Sequence, residues 1–477
     1  MNSIIIVLII YLCVLFGIGA YFSRKNKNVT DFLLAGRSLG LGTAILTMTA
    51  TLFGGALLTG TAQQAYDNGV AIYLYPFSSV IGMILVGLLI GKMSKFSTYT
   101  TVTEYLEKRF NSKFLRTASA LLSMLALIGI LGGQVGAIVG ILSALGFKNS
   151  VAGALLAMVV IIALTVMGGL WAVTMTDCFQ IILVIIGVLW IFFAAMANHG
   201  GFSGIHEALN GMAASLPQDY NVLMNGDKVS LLAWLMLPAI MYLLIGQDLY
   251  QRLFACKNHK TAVRTAFGAG FMLTLLSIVP VVLGLIARIE FPELAEKGTS
   301  ASAFAMLAMA TLPSWVVGIV MAAALSAILS TADSALTAAS SHFIGDIWMC
   351  YIAKGTDPND KKLLLVSRIF TAVAGIAAIV FSMLVPSIIS ACTYSYYLFT
   401  GGVFAPVVFG VMWKKATKEG AIAGLISGSI FAILSVTGII SLGNLPGELF
   451  SGLISSIVLV AVSLATAKKH EGEVIEA

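Results

Sequence analysis

The residues best suited to hold a cation form a run of polar side chains inside an apolar stretch. The run reads Ser330-Thr331-Ala332-Asp333-Ser334. A carboxylate at membrane depth needs a cation, a proton or a buried partner, because it has lost its hydration. Hydroxyls three and four residues apart lie on the same face of a helix. This face is therefore a candidate cation site.

A second carboxylate, Asp177, also lies within an apolar stretch. Two carboxylates beside a single Na⁺ would leave a net negative charge in a medium of low dielectric constant, which is costly. Two cations, or one cation and one proton, would remove that cost. Either carboxylate could instead accept hydrogen bonds from backbone amides and bind no ion.

The composition is that of an all-α integral membrane protein. Of the 477 residues, 59% are hydrophobic and 10% are charged, and the mean hydropathy is +0.99; a soluble domain has about a quarter charged residues. Apolar runs long enough to cross ~30 Å of hydrocarbon predict about 13 spans. They lie at residues 3–22, 40–66, 70–92, 115–145, 150–168, 172–197, 230–250, 264–289, 314–342, 363–386, 390–412, 419–439 and 447–467.

The distribution of basic residues predicts the orientation. If six clusters all face the cytoplasm, they hold 23 of the 27 Lys and Arg; the clusters are 24–37, 92–116, 252–264, 354–368, 414–418 and 468–469. An odd number of spans then places the N-terminus outside and the C-terminus inside, in the plasma (inner) membrane. The net charge of +6 reflects this topology and implies no nucleic-acid partner, and the sequence implies no obligate protein partner.

Catalytic and phosphate-binding motifs are absent from the sequence. It contains no G-x-S-x-G, no H-E-x-x-H and no Walker phosphate loop. The five cysteines and five histidines show no spacing typical of zinc ligands. We therefore expect neither an enzyme nor an organic cofactor, and no metal other than Na⁺.

Two predicted spans contain candidate helix breaks. One is at Gly54-Gly55 and the other at Gly246, five spans later. Glycine lets a membrane helix unwind and frees backbone groups, although close helix packing through small residues explains Gly54-Gly55 equally well. Interrupted helices at matching positions of two five-helix halves are typical of inverted-repeat transporters. We expect one transporter domain, 1–477, with an extra N-terminal helix at 3–22, repeats at 40–197 and 230–412, and two C-terminal helices within 419–467.

Several motifs resemble the sodium:solute symporter family, in order from about residue 30 to 415. They are Gly36–Gly40 before Gly54-Gly55, Gly168–Gln180, Asp248–Arg252, and Leu329–Ser334 followed by Gly345–Trp348. The likeness is closest to the choline, proline and pantothenate branches. It implies a leucine-transporter-type core of ten helices and sodium-coupled symport of a small organic solute by alternating access.

The resemblance also implies a set of ligands for Na⁺. Unwound carbonyls and a hydroxyl pair suit a small hard cation. The main site would use the carbonyls of Ala50, Phe53 and Ala327 and the hydroxyls of Ser330 and Thr331. A possible second site would use Asp177, Ser330, Asp333 and Ser334, where Asp333 replaces the Ser or Thr of other members. We therefore expect more than one Na⁺ per solute.

In this fold the solute lies beside the two broken helices. The candidate substrate-binding residues are Leu52, Gly54, Ala56, Leu57, Tyr73, Tyr75, Gln134 and Gln247. We expect a carboxylate or zwitterion, such as an amino acid, a monocarboxylate or a pantothenate-like compound, with its negative end at the amides of Gly55 to Leu57. Choline requires an aromatic cage, and Leu52 and Gly246 replace aromatic positions. The alternative is a proton-coupled carrier of the same fold, which leaves Ser330 and Thr331 without a role.

Overall fold

A computed structural model of the protein describes residues 2–24, 29–93, 99–147, 149–223, 229–353, 361–384, 388–440 and 447–467. Part of the predicted charge asymmetry depends on residues 25–28, 354–360 and 468–469, which lie outside the described residues.

The described residues are mostly helical. The helices are α1 (Asn2–Ser23), α2 (Val29–Leu34), α3 (Leu41–Leu52), α4 (Thr61–Asn68), α5 (Leu74–Gly91), α6 (Val102–Phe110), α7 (Lys113–Ala144), α8 (Ser150–Asn198), α9 (Gly201–Gly211), α10 (Val229–Leu243), α11 (Gln247–Phe254), α12 (His259–Leu276), α13 (Ile278–Glu290), α14 (Glu293–Glu296), α15 (Ala303–Thr311), α16 (Ser314–His342), α17 (Lys361–Leu384), α18 (Ile388–Met412), α19 (Lys418–Val436) and α20 (Gly447–Thr466). Wider π-helical turns cover Ala56–Gly60 and Phe343–Ile352.

Fewer helices than predicted are long and apolar enough to count as separate membrane spans. Within the described residues, nine helical stretches are long and apolar enough to cross a membrane, or ten if one bent pair counts as a single span. The predicted spans 150–168 and 172–197 lie in one helix, α8. The predicted span 230–250 is divided between α10 and α11. The last predicted span contains a shorter apolar helix, Phe450–Thr466.

Helix α8 changes direction at Gly169. This residue has φ 50° and ψ −163°, a conformation that favours glycine because it has no Cβ. A straight helix of this length would be about 70 Å long at 1.5 Å per residue, more than twice the ~30 Å of hydrocarbon. The turn at Gly169 therefore divides α8 into two segments that match the two predicted spans.

Both predicted helix breaks are confirmed. Helix α3 ends at Leu52, where Phe53 leaves helical geometry (φ −81°, ψ 57°). The chain resumes as the turn Ala56–Gly60 and α4, at an angle of 52° to α3. The second break separates α10 from α11 at Gly246, which is extended (φ −65°, ψ 119°). Each break frees backbone groups that cannot be hydrated in a bilayer and must be satisfied within the protein.

Helix α16 is the centre of the fold. It is buried along almost its whole length and packs against α1, α3, α7, α8 and α17. The first helix, α1, packs on α8 and α16 with most of its surface exposed. Helices α18, α19 and α20 pack on one another at the other end of the chain. The polar residues of α16 thus face other protein segments and avoid lipid.

We expect Gly169→Ala to destabilise the protein. The added Cβ would lie 2.4 Å from Phe32 Cδ2, and φ is positive; backbone strain of this kind costs about 1–3 kcal/mol. The thermal unfolding midpoint of the purified protein measures the effect. Gly17→Ala is the matched control, because a Cβ there meets no atom within 4 Å. Equal midpoints for the two variants would contradict the role assigned to Gly169.

Candidate functional site

Two hydroxyls of α16 contact the carbonyls at the end of α3. Ser330 Oγ donates to Ala50 O at 2.9 Å and lies 3.0 Å from Ala327 O. Thr331 Oγ1 donates to Thr51 O at 2.8 Å and lies 3.3 Å from Ala327 O. These carbonyls come from the last turn of α3 and from the turn of α16 that precedes the hydroxyls. The break therefore faces the polar side of α16, as the sequence predicted.

Four of the five predicted ligands of the main sodium site lie together. Ala50, Ala327 and Ser330 are directly linked, and Thr331 contacts Ala327. The fifth, Phe53, is buried where α3 ends, and its amide donates to Thr49 O. Hydroxyl and carbonyl oxygens are the ligands that Na⁺, a small hard cation, prefers. A modest outward movement of the hydroxyl groups would open a site lined by oxygen atoms.

The close approach of the two segments depends on Gly54. A Cβ at this position would lie 2.0 Å from Thr331 Oγ1 and 2.7 Å from Thr331 Cβ. Any larger residue would push the break away from α16. Gly54 thus provides the space for this contact, directly after the residue that leaves helical geometry, Phe53.

Asp177 is half of a buried ion pair. Arg252 Nη2 lies 3.0 Å from Asp177 Oδ2, and both side chains are fully buried. The same guanidinium donates from Nε to Thr47 Oγ1 at 3.0 Å and from Nη2 to Ser334 Oγ. Its Nη1 donates to the carbonyl of Asp248 at 2.9 Å, so the fixed donor geometry of arginine is satisfied on several sides.

This pair corrects the charge argument made from the sequence. Arg252 was counted among the basic residues at the cytoplasmic face, whereas the structure buries it beside Asp177. Its positive charge compensates Asp177, so two carboxylates near one Na⁺ no longer require a second mobile cation. Asp177 Oδ1 nevertheless has no hydrogen-bond partner among the described residues.

The residues of the possible second sodium site are divided between two environments. Ser334 accepts a hydrogen bond from Arg252 and donates to Ser330 O. Asp333 is buried and accepts a hydrogen bond from Thr165 Oγ1 of α8 at 2.7 Å. Asp177 and Ser334 are thus joined through the guanidinium, and Asp333 faces α8.

A small cavity of about 50 Å³ adjoins the α3 break. Six of the eight predicted substrate-binding residues line it, and they are Leu52, Gly54, Ala56, Leu57, Tyr75 and Gln134. The Gln134 side chain accepts a hydrogen bond from the amide of Gly55 at 2.9 Å. One of the amides expected to meet a carboxylate is therefore occupied by the protein itself.

The other two predicted residues, Tyr73 and Gln247, lie outside this cavity. The ring of Tyr73 stacks on Phe77, with centroids 5.9 Å apart. Gln247 accepts from the amide of Val102 at 2.9 Å and donates to Thr100 O and Ser341 Oγ. Successive residues of a helix point about 100° apart, so the residue after Gln247 faces the cavity in its place.

That residue is Asp248, which the sequence analysis did not select. Asp248 lines the cavity with Tyr242, Cys392 and Tyr396. Tyr242 donates its hydroxyl to Asp248 Oδ1 at 2.8 Å, and its ring stacks on Tyr396 with centroids 4.4 Å apart. Because Asp248 lies beside a predicted helix break, the sequence alone could have identified it as a candidate. Nothing in the sequence around Tyr396 indicated that it lines the cavity. Because tyrosines line the cavity, the absence of aromatics at Leu52 and Gly246 does not exclude choline.

Comparison with known proteins agrees with this geometry. The model of the sodium:solute symporter family matches residues 32–428. The chain belongs to the sodium:solute symporter family. The symporter is therefore a multi-pass membrane transporter and not an enzyme. It is 27% identical to the sodium/glucose cotransporter of Vibrio parahaemolyticus, over 97% of this chain and 90% of that protein. It is 25% identical to the high-affinity choline transporter 1 of Caenorhabditis elegans, over 92% and 78%.

The fold of the symporter is also that of a solved transporter. It matches the structure of a Na⁺-coupled sialic acid symporter in a substrate-bound outward-open state with a TM-score of 0.80. The match covers 98% of both chains at 20% identity, so it shows the leucine-transporter-type fold and says nothing of the substrate.

We expect Gly54→Ala to abolish stabilisation of the symporter by Na⁺. The added methyl group displaces Thr331, separating the hydroxyls from the carbonyls. The difference in unfolding midpoint between Na⁺ and K⁺ buffers measures the loss. Gly42→Ala, also in α3, is the control, because its Cβ meets nothing within 4 Å. An undiminished Na⁺ effect in Gly54→Ala would contradict the arrangement.

We expect Asp177→Asn to cost more stability than the double change Asp177→Asn with Arg252→Gln. Removing one partner of a buried pair leaves an uncompensated charge, at about 3–5 kcal/mol, whereas removing both does not. Unfolding midpoints of the variants form a double-mutant cycle. Glu290→Gln, which breaks a partly exposed contact with His199, should cost far less. Additive single effects would show that Asp177 and Arg252 do not form an energetic pair.

Proposed function

We propose that the protein couples inward movement of Na⁺ to uptake of a small organic solute by alternating access, in the plasma (inner) membrane. Na⁺ binds between the α3 break and α16, at Ala50, Phe53, Ala327, Ser330 and Thr331. The observation that carries this proposal is the position of Ser330 Oγ, 2.9 Å from Ala50 O and 3.0 Å from Ala327 O. The Ser330 hydroxyl lies between a carbonyl of α3 and a carbonyl of α16. A cation bound there would be coordinated by this hydroxyl and by both carbonyls.

Coupling follows from residues that serve both sites. Thr331 contacts Thr51 O at 2.8 Å, and Thr51, Gly54 and Thr331 all line the solute cavity. An ion that fixes these residues also fixes one wall of the cavity. Binding of the solute and binding of the ion should therefore strengthen each other, because a coupling free energy acts equally in both directions.

Alternating access requires closures at both ends of the pathway. At one end, Leu39 N donates to Ala255 O, and Arg37 donates to Phe254 O and Tyr99 O. At the other, beyond α4, Tyr220 donates to Tyr66 O and Tyr66 donates to Phe291 O. We propose that these clusters open in turn, in a protein of thirteen spans with its N-terminus outside and C-terminus inside.

The number of sodium ions is part of the proposal. Arg252 supplies a fixed positive charge at Asp177, where the sequence suggested a second ion. We infer that the arginine takes the place of a second Na⁺, and that the symporter uses one Na⁺ per solute. The unpartnered Asp177 Oδ1 is the observation that favours the alternative with two ions.

A proton-coupled carrier of the same fold is the second candidate. The observation in its favour is Asp333, a buried carboxylate with no basic group within 4 Å among the described residues, which a proton could neutralise. Against it, the hydroxyls of Ser330 and Thr331 would then face the freed carbonyls of α3 without a function.

We expect the double variant Ser330→Ala with Thr331→Ala to raise the Na⁺ concentration for half-maximal stabilisation at least tenfold, about 1.4 kcal/mol. The measurement is a Na⁺ titration of the unfolding midpoint at constant ionic strength with K⁺. Thr337→Ala is the control, because that hydroxyl contacts only carbonyls of its own helix. An unchanged Na⁺ response, or an equal response to pH alone, would favour the proton-coupled alternative.

A further inference from the structure

The solute cavity carries a single charged side chain among its described lining residues. That side chain is Asp248; the others are apolar residues, hydroxyl groups, a glutamine amide and a thiol. No lysine, arginine or histidine lines the cavity in the described part of the chain. The described lining therefore offers a ligand one carboxylate and no basic group.

Asp248 differs from the buried carboxylates Asp177 and Asp346 in its partners. Asp177 has Arg252 at 3.0 Å, and Asp346 has Arg116 at 2.6 Å together with His342. Asp248 is 5% exposed, and its carboxylate has no basic group within 4 Å among the described residues. The guanidinium of Arg252 reaches only its backbone carbonyl. A buried carboxylate without a bonded basic side chain is a group that a positively charged ligand can pair with.

The neighbouring tyrosines add to the preference for a cation. Tyr75, Tyr242 and Tyr396 line the same cavity, and ring faces attract positive charge. Tyr242 holds Asp248 Oδ1 with its hydroxyl at 2.8 Å, and Tyr396 supports the Tyr242 ring. The carboxylate is thus oriented by a hydrogen bond that leaves part of its accepting capacity unused.

We propose that the transported solute bears a protonated amine, whose N–H groups donate to Asp248 between these tyrosines. The inference rests on the proposed function, since it assigns one end of the solute in the same cavity. The inference narrows the class of solute expected from the sequence. A simple monocarboxylate would place its negative charge beside that of Asp248 in a medium of low dielectric constant. An amine or an amino acid satisfies the site.

The test compares molecules that share a carbon skeleton and differ in charge. The probes are propionate, propylamine and alanine, then 3-phenylpropionate, 3-phenylpropylamine and phenylalanine, with glucose, myo-inositol and choline added. Each is titrated against the purified full-length protein in Na⁺ and in K⁺, and the unfolding midpoint is recorded. A solute that binds only the folded protein stabilises it by RT ln(1 + [L]/Kd), so the rise of the midpoint with concentration gives the affinity. We expect amine-bearing probes alone to do so, and only in Na⁺.

Variants of Asp248 test whether its carboxylate is the group that binds the amine. Asp248→Asn should raise the amine concentration for half-maximal stabilisation at least tenfold while keeping the Na⁺ effect, which also shows that the variant is folded. Asp248→Glu keeps the charge and should retain part of the amine affinity. Glu296→Gln removes an exposed carboxylate far from the cavity lining and should change nothing.

The outcomes separate this inference from the proposed function. Stabilisation by propionate, glucose or myo-inositol but by no amine would overturn the inference, as would no response to any amine. Choline matching the amines would also overturn it, because choline has no N–H group to donate to Asp248. In all these cases a preserved difference between Na⁺ and K⁺ leaves the proposed function intact. Loss of that difference in the wild-type protein would instead refute the proposed function.

Discussion

The contact between the α3 break and the polar face of α16 is the constraint on which the rest of the structure depends. Ending α3 at Leu52 leaves carbonyls without helical partners in a region that water does not reach, and each unsatisfied group there costs several kcal/mol. Ser330 and Thr331 satisfy Ala50 and Thr51. Helix α16 must therefore lie in the protein centre, and in the proposed sodium site its hydroxyls would exchange these hydrogen bonds for contacts with the ion.

The charges of the membrane interior form a second constraint. Asp177, Asp248 and Asp333 are all buried, and in the described part of the chain the basic side chain paired with one of them is Arg252, which is bound to Asp177. A bound Na⁺ and a bound ammonium group would supply two further positive charges, equal in number to the remaining carboxylates. On this count, the solute with a protonated amine that we propose would balance the charge of Asp248, whereas an anionic solute would add to it.

The sequence was sufficient where the signal was local. Glycines within apolar stretches located both breaks, and helical spacing located the oxygen face of α16, because each depends on a few adjacent residues. Contacts between residues distant in the sequence could not be predicted from it. Arg252 belonged to a predicted basic cytoplasmic cluster, and nothing in the sequence connected Tyr396 with the cavity. The sequence pointed to Gln247, whereas Asp248 lines the cavity, because the direction of the helix at the break, set by packing, decides which of two neighbours faces it. Treating 150–168 and 172–197 as separate spans anticipated two segments that meet at Gly169 without a loop.

Gln247 lies between the cavity and one of the two proposed closures. Gln247 and Asp248 begin the same helix, α11, so one cannot turn without the other. Gln247 is bonded to the backbone at Thr100 and Val102, beside Tyr99, whose carbonyl accepts from Arg37 in the closure. Releasing that end would free Gln247 and allow the first turn of α11 to rotate, carrying the carboxylate of Asp248 away from Tyr242. Hydrogen bonds thus hold the side chains of the first two residues of α11. Rotation of this short helix would link opening of the pathway to release of a cationic solute.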